Sequence, residues 1–310
     1  MIDASAQEFR KTAPQPGPAP DIQMGDYERF SLENGLDVIV VENHKLPRVS
    51  FQVYVDAPLI DEGDAAGYLS LAGQMLTQGT NTRSKAEIDE AVDFIGASLS
   101  SSSSGLYGAC LTKHKNELLG IMQEVLMQPS FPEEQFEKLK KQTLSGLAQA
   151  KEDPNAIASN VASVLRYGEG HPYGRIETEA SIQKLTLDQC KSYYQDYFKP
   201  NTSYLVVVGD IKPEEAKALA KQYFGSWKKG TIKSSNFATP EKPDEARVAF
   251  VDKAGAVQSV INITYAQELD LGDPNRLKVS VMNTALGGYF RSRLNNNLRE
   301  DKGYTYGAGS

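Results

Sequence analysis

The chain has 310 residues, 40% apolar and 24% charged, which is enough for two ordinary domains with a sizeable core and excludes an intrinsically disordered chain. The formal net charge of −7 argues against a nucleic-acid binder, and no apolar run reaches the roughly 18–20 residues that cross a bilayer. Two cysteines, Cys110 and Cys190, cannot build a disulfide framework or a four-thiolate zinc site, and His44, His114 and His171 are too far apart in sequence to share a helical turn.

The first 25 residues lack the charged-then-apolar profile of a secretory signal, and the Pro-rich run APQPGPAP at 13–20 predicts an extended spacer. Residues 27–32 and 36–42 flank Asn34-Gly35, a two-residue hairpin signal, and the alternating stretch 49–55 is expected to pair with them. Apolar residues at three- and four-residue spacing predict a helix over 64–76. Ser84, with Glu87 three residues later, marks the start of another over 85–95. The serine run 100–104 sits between that helix and the alternating 106–111, so it is read as a strand with small side chains rather than a linker. Helices are expected at 116–127, 132–150, 155–167, 186–198 and 213–224, with a buried strand at 204–208.

The polar stretch 229–246, with Gly230, Pro240 and Pro243, reads as a linker. Beyond it strands are expected at 248–251 and 259–265, a helix at 274–286, and a strand pattern at 304–308 where the sequence stops, the signature of a longer protein. Non-alternating strands and helices give an α+β class. The expected organisation is an N-terminal segment (1–25), a complete α+β domain (26–228), the linker (229–246), and the first part of a second, similar domain (247–310).

Several stretches then become recognisable: NGLDVIVVENHKLPRVSFQVYV from Asn34, GASLSSSSSGLYGACLTKHKNELLGIMQEVLMQPSFPEEQFEKLKKQ from Gly96, the run from His171 to Trp227, and LGGYFRSRLNNNLREDKGYTYG from Leu286. Together they resemble the pitrilysin/insulinase-like zinc metallopeptidases, the family of the mitochondrial processing peptidase. The resemblance implies tandem α+β domains, each a mainly antiparallel sheet with helices on one face, that close in pairs like a clamshell around a peptide.

Active members of that family carry H-x-x-E-H on a helix, two histidines for zinc and a glutamate as general base. Here those positions hold Ser70, Gln74 and Gly73, and anchoring on Asp153-Pro154 puts Gly146 where the third ligand is expected. A hydroxyl, an amide and two glycines supply neither a zinc ligand set nor a base, so no cofactor is expected in this chain. What the resemblance retains is an arginine and a tyrosine seven residues apart, Arg299 and Tyr306, which in inactive halves reach a partner's zinc site. A guanidinium and a phenol can donate to the oxyanion of peptide hydrolysis. An arginine in a last helical turn also complements the dipole, and tyrosine suits a strand, so the pair carries meaning only with the resemblance. Tyr304, on the same face of the expected strand, competes for the tyrosine role.

The implied function is a zinc-free subunit or half of a two-part peptidase, with zinc in an H-x-x-E-H partner and a peptide as substrate. The alternatives are a scaffolding member or a pseudoenzyme that binds peptides by strand addition. A bacterial periplasmic or cell-envelope location is expected from the resemblance. His171 in HPYG is read as fixing a turn; His44 and His114 are read as exposed.

Overall fold

The computed structural model describes residues 25–238, 240, 243–265, 267 and 269–310. The spacer expected at 1–25 therefore lies, apart from Gly25, outside the described residues. In chain order the elements are β1 (Glu28–Ser31), β2 (Asp37–Glu42), β3 (Arg48–Val55), α1 (Tyr68–Met75), α2 (Lys85–Phe94), β4 (Ser98–Ser102) and β5 (Gly105–Leu111). There follow α3 (Lys115–Met127), α4 (Glu133–Ala150), α5 (Pro154–Tyr167), α6 (Glu179–Gln183), α7 (Leu187–Tyr197), β6 (Ser203–Gly209), α8 (Pro213–Phe224) and α9 (Arg276–Asn283). The chain forms two compact units, one of residues to 57, 68–139 and 186–233, the other of 58–67, 140–185 and 234–310.

The first unit is built on a six-stranded sheet in the order β1-β2-β6-β3-β5-β4, antiparallel except where β2 runs parallel to β6. The expected pairing of β3 with the hairpin does not form, because β6 lies between β2 and β3. Its sequence, SYLVVVG, is apolar on both faces, as a central strand requires. The hairpin turn also differs from expectation. Leu32 donates to Leu36 O and Gly35 to Leu32 O, leaving a three-residue connection with Gly35 at φ +86°. Asn34 is used elsewhere: its amide nitrogen donates to Phe224 O and Trp227 O, satisfying carbonyls at the end of α8.

Period-two alternation buries Val49, Phe51, Val53 and Val55 of β3 with Leu205 and Val207 of β6 on one face. Helices cover this face: α3 packs on β5, α8 on β2, and α1 on β4 and α7. Met122 and Leu118 of α3 reach so close to Gly108 that a Cβ there would meet the Met122 sulfur at 2.6 Å. On the opposite face Gln52, Tyr54 and Tyr107 are exposed. The fold class is therefore α+β, a mainly antiparallel sheet with helices on one face.

Ser84 caps α2 in the expected box: its hydroxyl accepts from Glu87 N–H while the Glu87 carboxylate accepts from Ser84 N–H. Ser84→Ala is expected to lower the stability of the unit by about 1 kcal/mol, read as a shift in denaturation midpoint.

At one end of the sheet His44 is clamped between two carboxylates. Its Nδ1 lies 2.5 Å from Asp210 Oδ1 and its Nε2 on Glu42, while Thr112 Oγ1 donates to Asp210 Oδ2 at 2.9 Å. Hydrogen bonds to Asp210 and then Glu42 raise the imidazole above its ordinary value, and Asp210 is correspondingly held low. Both ring nitrogens donate only when the ring is an imidazolium. The folded-state value is raised, so the contribution is fully present below about pH 6.5, the unfolded value, and is lost as pH climbs through the folded one. The stability difference between wild type and His44→Ala is expected to shrink between mildly acidic and alkaline pH; a constant difference would contradict the clamp.

The second unit is held by side chains on backbone and by ion pairs. Asp153 caps α5, and Thr178 with Ser181 caps α6, a short helix the sequence patterning missed. His171 fixes its turn as expected: Nδ1 accepts from Tyr173 N–H at 3.1 Å and the ring stacks on Tyr167. Arg175 grips Asp61 at 3.0 Å, and the Ser181 hydroxyl donates to Ala66 O at 3.0 Å. The expected strands at 248–251 and 259–265 do not form: those residues carry no ladder, and Val248, Phe250, Ile261 and Ile263 are exposed. Alternation makes a strand only when a neighbour takes its backbone hydrogen bonds.

Candidate functional site

Ser70, Gly73 and Gln74, where the resemblance puts the zinc motif, lie on α1. Leu71, Ala72 and Met75 face the core, which turns Ser70 outward, and Gln74 follows one turn later on the same side. Their side chains bond each other, Gln74 Nε2 donating to Ser70 Oγ at 3.2 Å. Gly73 points the other way. A Cβ built on it would fall 2.1 Å from Ser103 N, 2.2 Å from Ser102 C and 2.7 Å from Ser102 O. The helix thus abuts the backbone that leaves β4, and a glutamate there has no volume.

Further bonds fasten the same junction. Tyr193 of α7 donates its hydroxyl to Ser103 O at 2.7 Å, Thr77 Oγ1 meets Ser101 Oγ at 3.3 Å, and the Tyr68 ring meets Tyr193 edge to face. Sequence patterning missed Tyr193, Ser102 and Ser103; nothing in their spacing marks contacts made across such separations.

The donor chemistry does not fit zinc. A tetrahedral site takes imidazole, thiolate or carboxylate, whereas α1 offers a hydroxyl and an amide already bonded together. Gly146, on α4, is exposed and has no side chain. Among the described residues no group of three or more His, Cys, Asp or Glu is arranged to hold a metal. The thiols are free and buried, and burial pushes Cys110 up to about 11 and Cys190 to about 12, so neither is a nucleophile near neutral pH.

Arg299 and Tyr306 lie in the second unit, in the segment after α9. A wide, π-type turn at Asn296–Asp301 carries Arg299. It ends at Gly303, which takes φ +62°, its N–H donating to Arg299 O and that of Tyr304 to Leu298 O. The Arg299 guanidinium carbon sits 4.5 Å from the centroid of Phe290, and its Nε is 3.4 Å from Glu300 Oε1. Tyr306 is 84% exposed and lies in a bend, not the expected strand. No direct contact joins Arg299 to Tyr306 among the described residues. The tail bearing Tyr306 is tied back by Asn295, whose Oδ1 accepts from Ala308 N–H at 2.9 Å and whose amide donates to Tyr289 O. Tyr304 is likewise exposed, with Lys302 over its ring.

Two family profiles match the sequence, that of the insulinase peptidases, M16, over residues 37–170 and that of the peptidase M16 inactive domain over 184–310. The chain belongs to the M16 peptidase family. The M16 protein of Bacillus subtilis described as the uncharacterized zinc protease YmxG is 26% identical over 288 residues, covering 90% of this chain and 68% of its own. A Helicobacter pylori relative described as the non-peptidase homolog YmxG is 24% identical over 278 residues, 87% of this chain and 63% of its own. The crystal structure of a peptidase M16 inactive domain from Pseudomonas fluorescens superposes with a TM-score of 0.76 at 25% identity, over 91% of this chain and 69% of the other. The chain thus spans about two thirds of the length of these relatives. The inactive-domain match lies at 184–310, whereas α1 falls within the 37–170 match to the insulinase profile.

Proposed function

We propose that the protein is the zinc-free half of a two-part M16 peptidase, supplying Arg299 and Tyr306 to the zinc site of an H-x-x-E-H partner during peptide hydrolysis. One observation carries the reading: Gly73, where the resemblance puts the base, faces the Ser102–Ser103 backbone so closely that a carboxylate side chain has no room there. The match of 184–310 to the inactive-domain profile supports it. In the partner's site the zinc would polarise the scissile carbonyl and its bound water. This chain's part is electrostatic: Arg299 and Tyr306 donate to the developing oxyanion or hold the adjacent substrate backbone. Mixing the full chain with a zinc-bearing M16 homologue from the same organism and following cleavage of fluorogenic peptides tests this. The mixture is expected to exceed the partner alone, and a rate equal to the partner's would overturn the reading. A periplasmic or cell-envelope setting belongs to the proposal, and cell fractionation checks it.

A second reading rests on the sheet edge. β4 is the last strand in the order, pairs among the described residues only with β5, and carries the small residues SLSSS, so its outer edge can accept an extended peptide as a further strand. Calorimetry with extended peptides, without partner or metal, separates the two: heat of binding here with no gain in the mixture favours a peptide-binding pseudoenzyme. Neither signal would leave a scaffolding member.

A further inference from the structure

Resting on the role proposed above for Arg299, we infer that Phe290 is a positioning residue that holds the Arg299 guanidinium in place. The two are nine residues apart, on either side of the short helical turn Arg293–Asn295, and neither spacing nor periodicity relates them. The tertiary path does: Phe290 lies in the turn after the π-type segment Thr284–Gly288, Arg299 lies in the second such segment, and the guanidinium comes to rest 4.5 Å from the ring centroid. Phe290 is 59% exposed, so core packing does not account for an aromatic ring at that place. A cation over the ring face does.

The geometry restrains the arginine without blocking it. A guanidinium is flat and its donors lie in its plane. A ring 4.5 Å from its central carbon limits where the group can swing without taking up a donor. Glu300 lies 3.4 Å from Nε on one side. No hydrogen bond to the two terminal nitrogens is found among the described residues, so their N–H groups remain for an acceptor outside the unit. A free arginine samples many rotamers, and every one not aimed at the acceptor is lost to catalysis. Phe290 acts through Arg299, and touches no reacting atom itself.

The test uses the full chain throughout. Without a partner, the Arg299 Hδ protons in NMR spectra are expected to be shifted upfield by the ring, and to relax in Phe290→Leu. In the mixture with the zinc-bearing homologue, Phe290→Leu is expected to lower kcat about tenfold with KM within about twofold, as misorientation of a donor does. Phe290→Trp, which keeps a ring face, restores kcat, and Phe290→Leu adds nothing to Arg299→Ala. Wild-type kcat in Phe290→Leu beside an impaired Arg299→Ala overturns this inference and leaves the proposed function standing. An unmoved Hδ resonance overturns it too. If Arg299→Ala is itself unimpaired, the proposed function falls and takes this inference with it.

Discussion

Gly73→Ala is expected to destabilise the first unit by about 1–3 kcal/mol, toward the upper end because the added carbon meets main chain rather than a movable side chain. The sign is the informative part. In an unhindered helix the same change is favourable by about 1 kcal/mol, since alanine is the better helix former. Here the new Cβ would sit 2.1 Å from Ser103 N and 2.2 Å from Ser102 C, so the clash exceeds the propensity gain. Relief requires α1 to withdraw from the end of β4, and that disturbs the Tyr193–Ser103 and Thr77–Ser101 bonds as well. Chemical denaturation of the two proteins decides it; a variant as stable as wild type would show that helix and strand do not approach so closely. The corollary concerns the metal site. Ser70→His with Gln74→His changes an exposed residue and its half-buried neighbour and is expected to fold. Adding Gly73→Glu is expected to cost stability and to yield no hydrolysis.

Arg299→Ala is expected to lower kcat of the mixture with a zinc-bearing homologue by about 10²–10³-fold, the usual cost of removing one oxyanion donor from a water-excluded site. Little change is expected in the stability of the chain itself. Arg299 makes one ring contact and one ion pair with a half-exposed glutamate, and such surface contacts contribute at most about 1 kcal/mol. Rate and stability therefore separate, which distinguishes a donor from a structural residue. Arg299→Lys is expected to recover only part of the loss, because an ammonium lacks the planar fork that offers two donors together. Tyr306→Phe removes a single hydroxyl and is expected to lower kcat by a smaller factor. Tyr306 is 84% exposed, and among the described residues no hydrogen bond to its hydroxyl is found, so little change in stability is expected. An unchanged rate in either Arg299→Ala or Tyr306→Phe would sink the role given to the pair.

Local signals were read well where the chemistry is local. The Ser84–Glu87 box and the His171 turn each involve groups within a few residues of one another. Their hydrogen bonds are therefore written in the spacing. The serine run was legible as β4 because its neighbours alternate, although its composition resembles a linker. Strand order was not legible. Placing β3 beside the hairpin treats chain neighbours as sheet neighbours, whereas β6, about 150 residues later, inserts between them. Nor could the apolar content of 248–251 and 259–265 tell a paired strand from an exposed segment that forms none.

By itself the sequence determined which groups stand at Ser70, Gly73 and Gln74, a hydroxyl, no side chain and an amide, and with them the expectation that this chain holds no zinc. It also determined that Arg299 and Tyr306 share one short segment, since chain connectivity limits how far they can part. Only the tertiary structure decided why position 73 is glycine and what faces Arg299. The first depends on the Ser102–Ser103 backbone reaching α1, the second on Phe290 folding back over a guanidinium. Both are distances between groups that the covalent chain leaves free, and packing alone fixes such distances.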